Sequence, residues 1–306
     1  MNEVASLIAL TMNAGTPLLL AALGVAINER SGVVNLGTEG MMLVAAVVGF
    51  ATTLYTGHYW LGFVAGVIVG MTLALLFALL AVGLLTNQFA TGLALSLFGA
   101  GLSAFIGLSL QGASLPPRIA DGVPILRDVP FIGTALFAQH WVVYLSLALT
   151  VAVAWFLFRT RSGLILRAVG ESPDAAHALG HPVRAIRVAS LAFGGACAGL
   201  AGAYLSTIYT PLWSEGMVAG RGWIALALVT FATWRPGRVL LGAYLFGGMT
   251  MLQFYLQGRG VEVPAQWLAM TPYVATIVVL ALISRNARWI RFNMPASLGK
   301  PFSPSA

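Results

Sequence analysis

Two ionisable residues sit inside apolar runs of this chain: Glu39 in ERSGVVNLGTEGMMLVAA (29–46) and Arg221 in GRGWIALALVTFATWRPGR (220–238). A charge at membrane depth costs about 2.5–3.5 kcal/mol on insertion scales, so such residues pair with one another, line a pathway or relay protons. Glu39 has two readings. It is an interfacial acid favoured by a helix N-terminus and paired with a nearby base such as Arg30, or it faces a translocation pathway. Arg221 is separated from Arg235 by thirteen residues, Gly222 to Trp234. At 1.5 Å per residue these cover only about 20 Å, less than a hydrocarbon core of roughly 30 Å. Either Arg221 snorkels to an interface, or the chain enters here as a broken segment lining a cavity, which Gly216, Gly220 and Gly222 permit. With Asn35, Trp223 and the amides of Asn87 and Gln88, these residues form the candidate substrate pathway. Asn87 reads equally well as a helix cap. A path so poor in fixed charge suits a polar, mostly uncharged solute.

Other chemistries find little support. His58, His140, His177 and His181 fall at loops or helix edges, as surface or interface residues rather than catalysts. No catalytic residue, metal site or cofactor is expected. Cys197 has no partner within the chain and reads as a small packing residue. The sole lysine, in LGKPF, lacks the G-x-x-x-x-G-K-[ST] context of a nucleotide site, so ATP-driven work would need a separate ATPase chain.

The elements that must position these residues are membrane helices. Charged residues are 8% and hydrophobic residues 59% of the chain, against about 25% and 45–50% in soluble domains. Windows without Asp, Glu, Lys or Arg, divided at TGHYW and TNQFATG, place spans near 7–28, 40–56, 60–85, 89–110, 140–158, 188–210, 216–234, 239–257 and 264–284. The expected fold is an all-α polytopic bundle of about nine spans, forming one transmembrane domain over 1–306 and embedded in the lipid bilayer. The stretches of alternating polarity that a β-barrel needs are absent. The first helix, which follows an acidic start, reads as part of the mature protein. Alternating the spans puts twelve of the sixteen bases on one side, which predicts the N-terminus outside and the C-terminus inside. The excess explains the net charge of +7 without nucleic-acid binding. The proline-rich stretch 111–139 is expected as an outer loop over the periplasmic mouth.

Small residues let helices approach closely in lipid. Gly66 with Gly70 and Gly195 with Gly199 are GxxxG pairs, and Gly92, Ser96 and Ala100 form one stripe and Gly99, Ser103 and Gly107 another. Packing is the expected role of all four, ahead of a pore lining. Span one leads into a Gly-rich element from the inner side and span six into another from the outer side. Opposed elements of this kind mark an inverted repeat framing a path near the midplane.

The longest inner loop, 159–187, carries helix punctuation. Ser172 suits an N-cap, Pro173 the first helical position, Asp174 the first turn and Gly180 the C′ position, giving about two turns that bear Ala175, Ala176, Ala178 and Leu179. So short a helix must rest on something, and its small alanine-rich surface suits a protein groove better than lipid.

RAVGESPDAAHALG resembles the cytoplasmic coupling loop of ABC importer permeases of the branched-chain amino acid, simple sugar and nucleoside group. ERSGVVNLGTEGMM and GRGWIALALVTFATWRPGR are similar to the two further motifs of the nucleoside-type branch, and the three fall in the family's order along essentially the whole chain. Ser172, where many relatives have Asn, and His181, where an apolar residue is common, are mild departures. The resemblance implies a permease subunit in a bacterial cytoplasmic membrane with an inverted-repeat, type II importer-like bundle. It implies a second homologous permease, a cytoplasmic ATPase and an extracytoplasmic substrate-binding protein as partners. It favours nucleosides as solute over simple sugars or branched-chain amino acids, with an ion-coupled secondary transporter as the remoter alternative. Gly170, Glu171, Ser172, Pro173, Ala175, Ala176 and Gly180 are the implied ATPase-coupling positions.

Overall fold

The computed structural model describes residues 2–116, 122, 126–259, 264, 267, 270–271, 273–275, 278–279 and 293–303. Among these, extended pairing is limited to one isolated bridge, Ser114 with Leu212, and the regular elements are helices. Seven of the described helices are long and apolar enough to cross a membrane. They are α1 (Asn2–Arg30), α2 (Thr38–Thr56), α3 (Tyr59–Ala78, extended by a π-turn to Gly83), α4 (Gln88–Gly107), α5 (Trp141–Arg159), α8 (Val183–Tyr204, extended by a π-turn to Tyr209) and α10 (Pro236–Gly258). Between α5 and α8 lie α6 (Arg161–Glu171) and α7 (Pro173–Ala178), and between α8 and α10 lies α9 (Arg221–Phe231).

The expected seventh span, 216–234, is corrected. Its helix α9 has eleven residues, about 16 Å at 1.5 Å per residue and so only half a crossing. The expected ninth span, 264–284, falls largely outside the described residues.

Close packing at glycine builds the bundle. Gly66 and Gly70 on α3 meet Gly199 and Gly195 on α8, backbone against backbone, so both GxxxG pairs serve one crossing. On α4 the two expected stripes regroup into a single face. Gly92, Ser96, Gly99 and Ser103 lie against 36–43, and Gly107 lies under the Trp213 ring. Ala100 drops out of the face and is exposed. Cys197 is buried where α8 meets Gly24 of α1, a packing position.

The helices alternate in direction, so Arg30, Arg187 and Arg235 gather at one end of the bundle, called here the basic end. At the other end, Arg259 closing α10 pairs with Glu3 opening α1 at 2.6 Å. There the 111–139 stretch touches the bundle through Leu115, whose N–H bonds Pro211 O at 2.9 Å, and through Pro116, whose carbonyl accepts from Tyr59 Oη at 2.8 Å. His140 at this end is buried against Phe63, Trp141 and Tyr204, and caps α5 through Nδ1. It stands at the helix edge expected for it, yet it is buried rather than on the surface, because Phe63 of α3 and Tyr204 of α8 pack on its ring.

Candidate functional site

The connection from α1 to α2 runs back into the bundle. Residues 33–35 are neither helix nor turn, and their neighbours on α4 mark how deep they go. Val34 N–H bonds the Gln88 side chain (2.9 Å), Ser96 Oγ bonds Leu36 O (2.7 Å), and Gly40 packs on Leu95 and Ser96. Leu95 and Ser96 stand seven and eight residues along α4 from Gln88, roughly 11–12 Å at 1.5 Å per residue. Glu39, expected near the inner end of span two, therefore lies well inside the bundle. Its depth follows from the extended segment before it, which rises about twice as far per residue as a helix.

The chain after α8 mirrors this from the opposite end. It passes Trp213 at the far end of α4, turns through Gly216 and Ala219, and starts α9 at Gly220, whose φ is +79°. There the two interrupted elements touch. Gly220 N–H donates to Glu39 Oε1 (2.8 Å) and Gly222 N–H to Oε2 (2.7 Å). A Cβ on Gly222 would stand 2.6 Å from the Glu39 backbone. One carboxylate thus satisfies two of the four orphan donors that open any helix, opposite the positive end of its dipole. Glu39 is bonded to α9 rather than paired with Arg30, which reaches the carbonyls of Asn293 (3.1 Å) and Trp234 (3.4 Å).

The far end of α9 is also anchored to α1. Trp234 Nε1 donates to Glu29 Oε2 at 2.5 Å, and Arg238 Nη1 donates to Thr233 Oγ1 at 2.8 Å. Thr233 and Trp234 both have left-handed backbones, with φ of +52° and +54°. Such conformations cost of order 1–3 kcal/mol each and persist only when the surroundings over-determine them. Glu29, Thr233 and Trp234 are not among the candidate site residues of the sequence. The one available signal was Trp234 beside two arginines and a proline.

The remaining pathway candidates separate. Asn35 is buried and folds back on its own segment, Oδ1 accepting from Gly37 N–H at 2.9 Å. Asn87 caps α4, accepting from Phe89 and Ala90 N–H at 3.0 and 3.1 Å. Gln88, 2% exposed, braces Val34, its Oε1 accepting from Val34 N–H. Arg221 bonds the carbonyls of Met217 (3.2 Å) and Val218 (3.0 Å), lies over the Tyr209 ring and borders a small cavity with Thr250 and Gln253. Trp223, on the same turn, is 47% exposed.

At the basic end the punctuated loop forms the expected helix. Ser172 Oγ accepts from Ala175 N–H (3.3 Å). Gly180 has φ +84° and donates to His177 O (2.8 Å), while His181 donates to Ala176 O (3.1 Å), the two bonds of a Schellman motif. The preceding helix α6 lies beyond what the loop's punctuation announced. Of the coupling positions, Gly170, Pro173 and Ala176 face the bundle and are buried. Glu171, Ser172, Ala175 and Gly180 face outward with Ala178 and Leu179, the last 78% exposed.

Residues 7–283 match the family described as "Branched-chain amino acid transport system / permease component". The chain is 42% identical to a putative glucose ABC transporter permease protein of Haloferax volcanii, over 97% of each chain. It is 33% identical to a nucleoside ABC transporter permease protein of Lactococcus lactis, over 94% of each. It is also 33% identical to a guanosine ABC transporter permease protein of Bacillus subtilis, over 88% of this chain and 89% of that one. No solved structure matches. The chain belongs to the permease-component family of branched-chain amino acid-type ABC transport systems, and is a multi-pass membrane subunit of an ABC transporter.

Proposed function

We propose that this chain is the membrane-spanning subunit of an ATP-driven, binding-protein-dependent importer of nucleosides in a cytoplasmic membrane, working beside a second permease. The observation that carries the coupling role is α7, a capped helix seated on the bundle by Pro173 and Ala176 that turns Ala175, Ala178 and Leu179 outward. Small exposed side chains on a fixed shelf suit insertion into a groove of a cytoplasmic ATPase. Hydrolysis then falls to that separate chain. The gathered bases support an orientation with the basic end inside and the start of α1 outside.

The junction of Glu39 with Gly220 and Gly222 supports a pathway framed by two opposed half-elements, as in inverted-repeat transporters. In this reading Arg221 and Trp223 border the path. Glu39 and Asn35 hold the junction, and Gln88 and Asn87 secure the approach to it. An ion-coupled carrier would want a free acid here, whereas Glu39 is occupied with α9.

The nucleoside and guanosine permeases among the relatives support nucleosides as the solute. The 42% identity to a putative glucose permease favours a sugar as the second reading. Calorimetry of the cognate binding protein with guanosine, uridine and glucose separates the two, and saturable binding of glucose alone would remove the nucleoside reading. Co-purification tests the docking. Ala175→Arg is expected to abolish ATPase capture with the permease still monodisperse, and unchanged capture would defeat the assignment of α7.

A further inference from the structure

The segment 293–303 lies across the basic end, hydrogen-bonded to the end of α6 and to the turn that opens the re-entrant segment, and packed on α7 through Phe302. At the end of α6, which leads into α7, Ser297 donates its N–H (3.0 Å) and its hydroxyl (2.7 Å) to the carbonyl of Gly170, and Ala296 N–H reaches the Glu171 carboxylate at 3.3 Å. Phe302 is buried with Val169, Ala176 and Val183, its ring edge-on to His177. Towards the re-entrant segment, Gly299 N–H donates to Gly32 O at 3.0 Å.

Arg187, 2% exposed, ties the segment to the turn. Its Nε donates to Ser31 O (3.2 Å), Nη1 to Lys300 O (3.2 Å) and Nη2 to Ser297 Oγ (3.3 Å). Each of these acceptors would be costly to leave unmet in a buried site, by about 1–3 kcal/mol, and the guanidinium costlier still. The end of α6, the 293–303 segment and the turn at Ser31 and Gly32 are therefore tied into one hydrogen-bonded cluster, on which α7 packs through Phe302. Two residues beyond Gly32, Val34 is held by Gln88, and Glu39 follows with its grip on α9.

We infer that the segment 293–303 is a coupling strut that carries displacement of α7 by the ATPase to the Glu39–α9 junction, with Arg187, Ser297 and Phe302 as its positioning residues. None of the three needs to touch solute or nucleotide. This rests on α7 being the docking helix, and it adds a second link beside the direct packing of Gly170, at the end of α6, on the Arg30 and Gly32 backbone. α7 itself packs on α6, α8 and Phe302, and the segment hydrogen-bonds both the end of α6 and the turn that opens the re-entrant path.

The test uses the full transporter in proteoliposomes with its ATPase and binding protein, measuring ATP hydrolysed and solute taken up in the same vesicles. Phe302→Asp expels the buried ring. Ser297→Ala removes the hydroxyl contacts, keeps the backbone bond and leaves the fold least disturbed, so it carries the test should Phe302→Asp fail to assemble. Both variants are expected to retain the ATPase and to hydrolyse ATP at near the wild-type rate. Solute moved per ATP should fall about fivefold or more in Phe302→Asp, the span of a typical coupling free energy, and about twofold in Ser297→Ala. Phe302→Leu should restore it. Unchanged solute per ATP in the variants overturns the inference. So does a loss of uptake that only follows loss of ATPase binding, since the segment would then merely shape the dock. An unaltered chain that captures no ATPase is a separate result, and it removes the docking role of α7 itself.

Discussion

At Glu39 one carboxylate stands between two N–H groups of another element, one buried and one part-buried, with no shared neighbour in sequence to announce it. Removing an acceptor from buried donors costs the desolvation penalty of each, so Glu39→Ala is expected to destabilise the protein by about 2–4 kcal/mol. Glu39→Gln keeps one carbonyl acceptor and should lose roughly half of that. Thermal unfolding in detergent checks both. Equal midpoints for Glu39→Ala and the unaltered protein would show that the cap contributes nothing. The sequence raised Glu39 as anomalous and left its partner open between Arg30 and a pathway. The partner proved to be a backbone, which no side-chain pattern advertises.

Elements here are set by local signals and joined by small residues. The caps of α7 were legible because N-cap serine, first-turn proline and C′ glycine act within a few residues of one another. The GxxxG pairs announced close approach but could not say to which helix. At Gly199 a Cβ would stand 2.9 Å from the Gly66 carbonyl carbon and 3.0 Å from Val67 Cα, whereas at Gly101 nothing lies within 4 Å. Gly199→Leu is therefore expected to cost about 1–3 kcal/mol or more through overpacking. Gly101→Ala, in an exposed helix interior, should stabilise by about 0.5–1 kcal/mol. Size-exclusion profiles after graded heating rank the two. Comparable tolerance at both sites would contradict the α3–α8 crossing.

Over the whole molecule, the alternating helices carry α7 and the 293–303 segment to one end and His58 and the pair Glu3–Arg259 to the other. The lone Cys197 is buried, which leaves the background clear for single-cysteine mapping. In right-side-out vesicles an impermeant maleimide should label His58→Cys directly, and Leu179→Cys only after permeabilisation. Labelling of both from one side would refute the proposed orientation.

The sequence by itself determined what depends on composition and short-range chemistry. Membrane residence, the positions of the seven long helices to within a few residues, the capped docking helix and the family motifs all follow from apolar run length, capping residues and charge bias along the chain. Tertiary structure alone decided what depends on depth and on partners far apart in sequence. It set how deep an extended segment lifts Glu39, that α9 is a half-helix gripped at both ends by acids from the first two helices, and that residues 293–303 close over Arg187. These contacts join positions 110 to 263 residues apart. Their partners are mostly backbone groups, which every residue carries alike, so only the folded chain can say which of them meet.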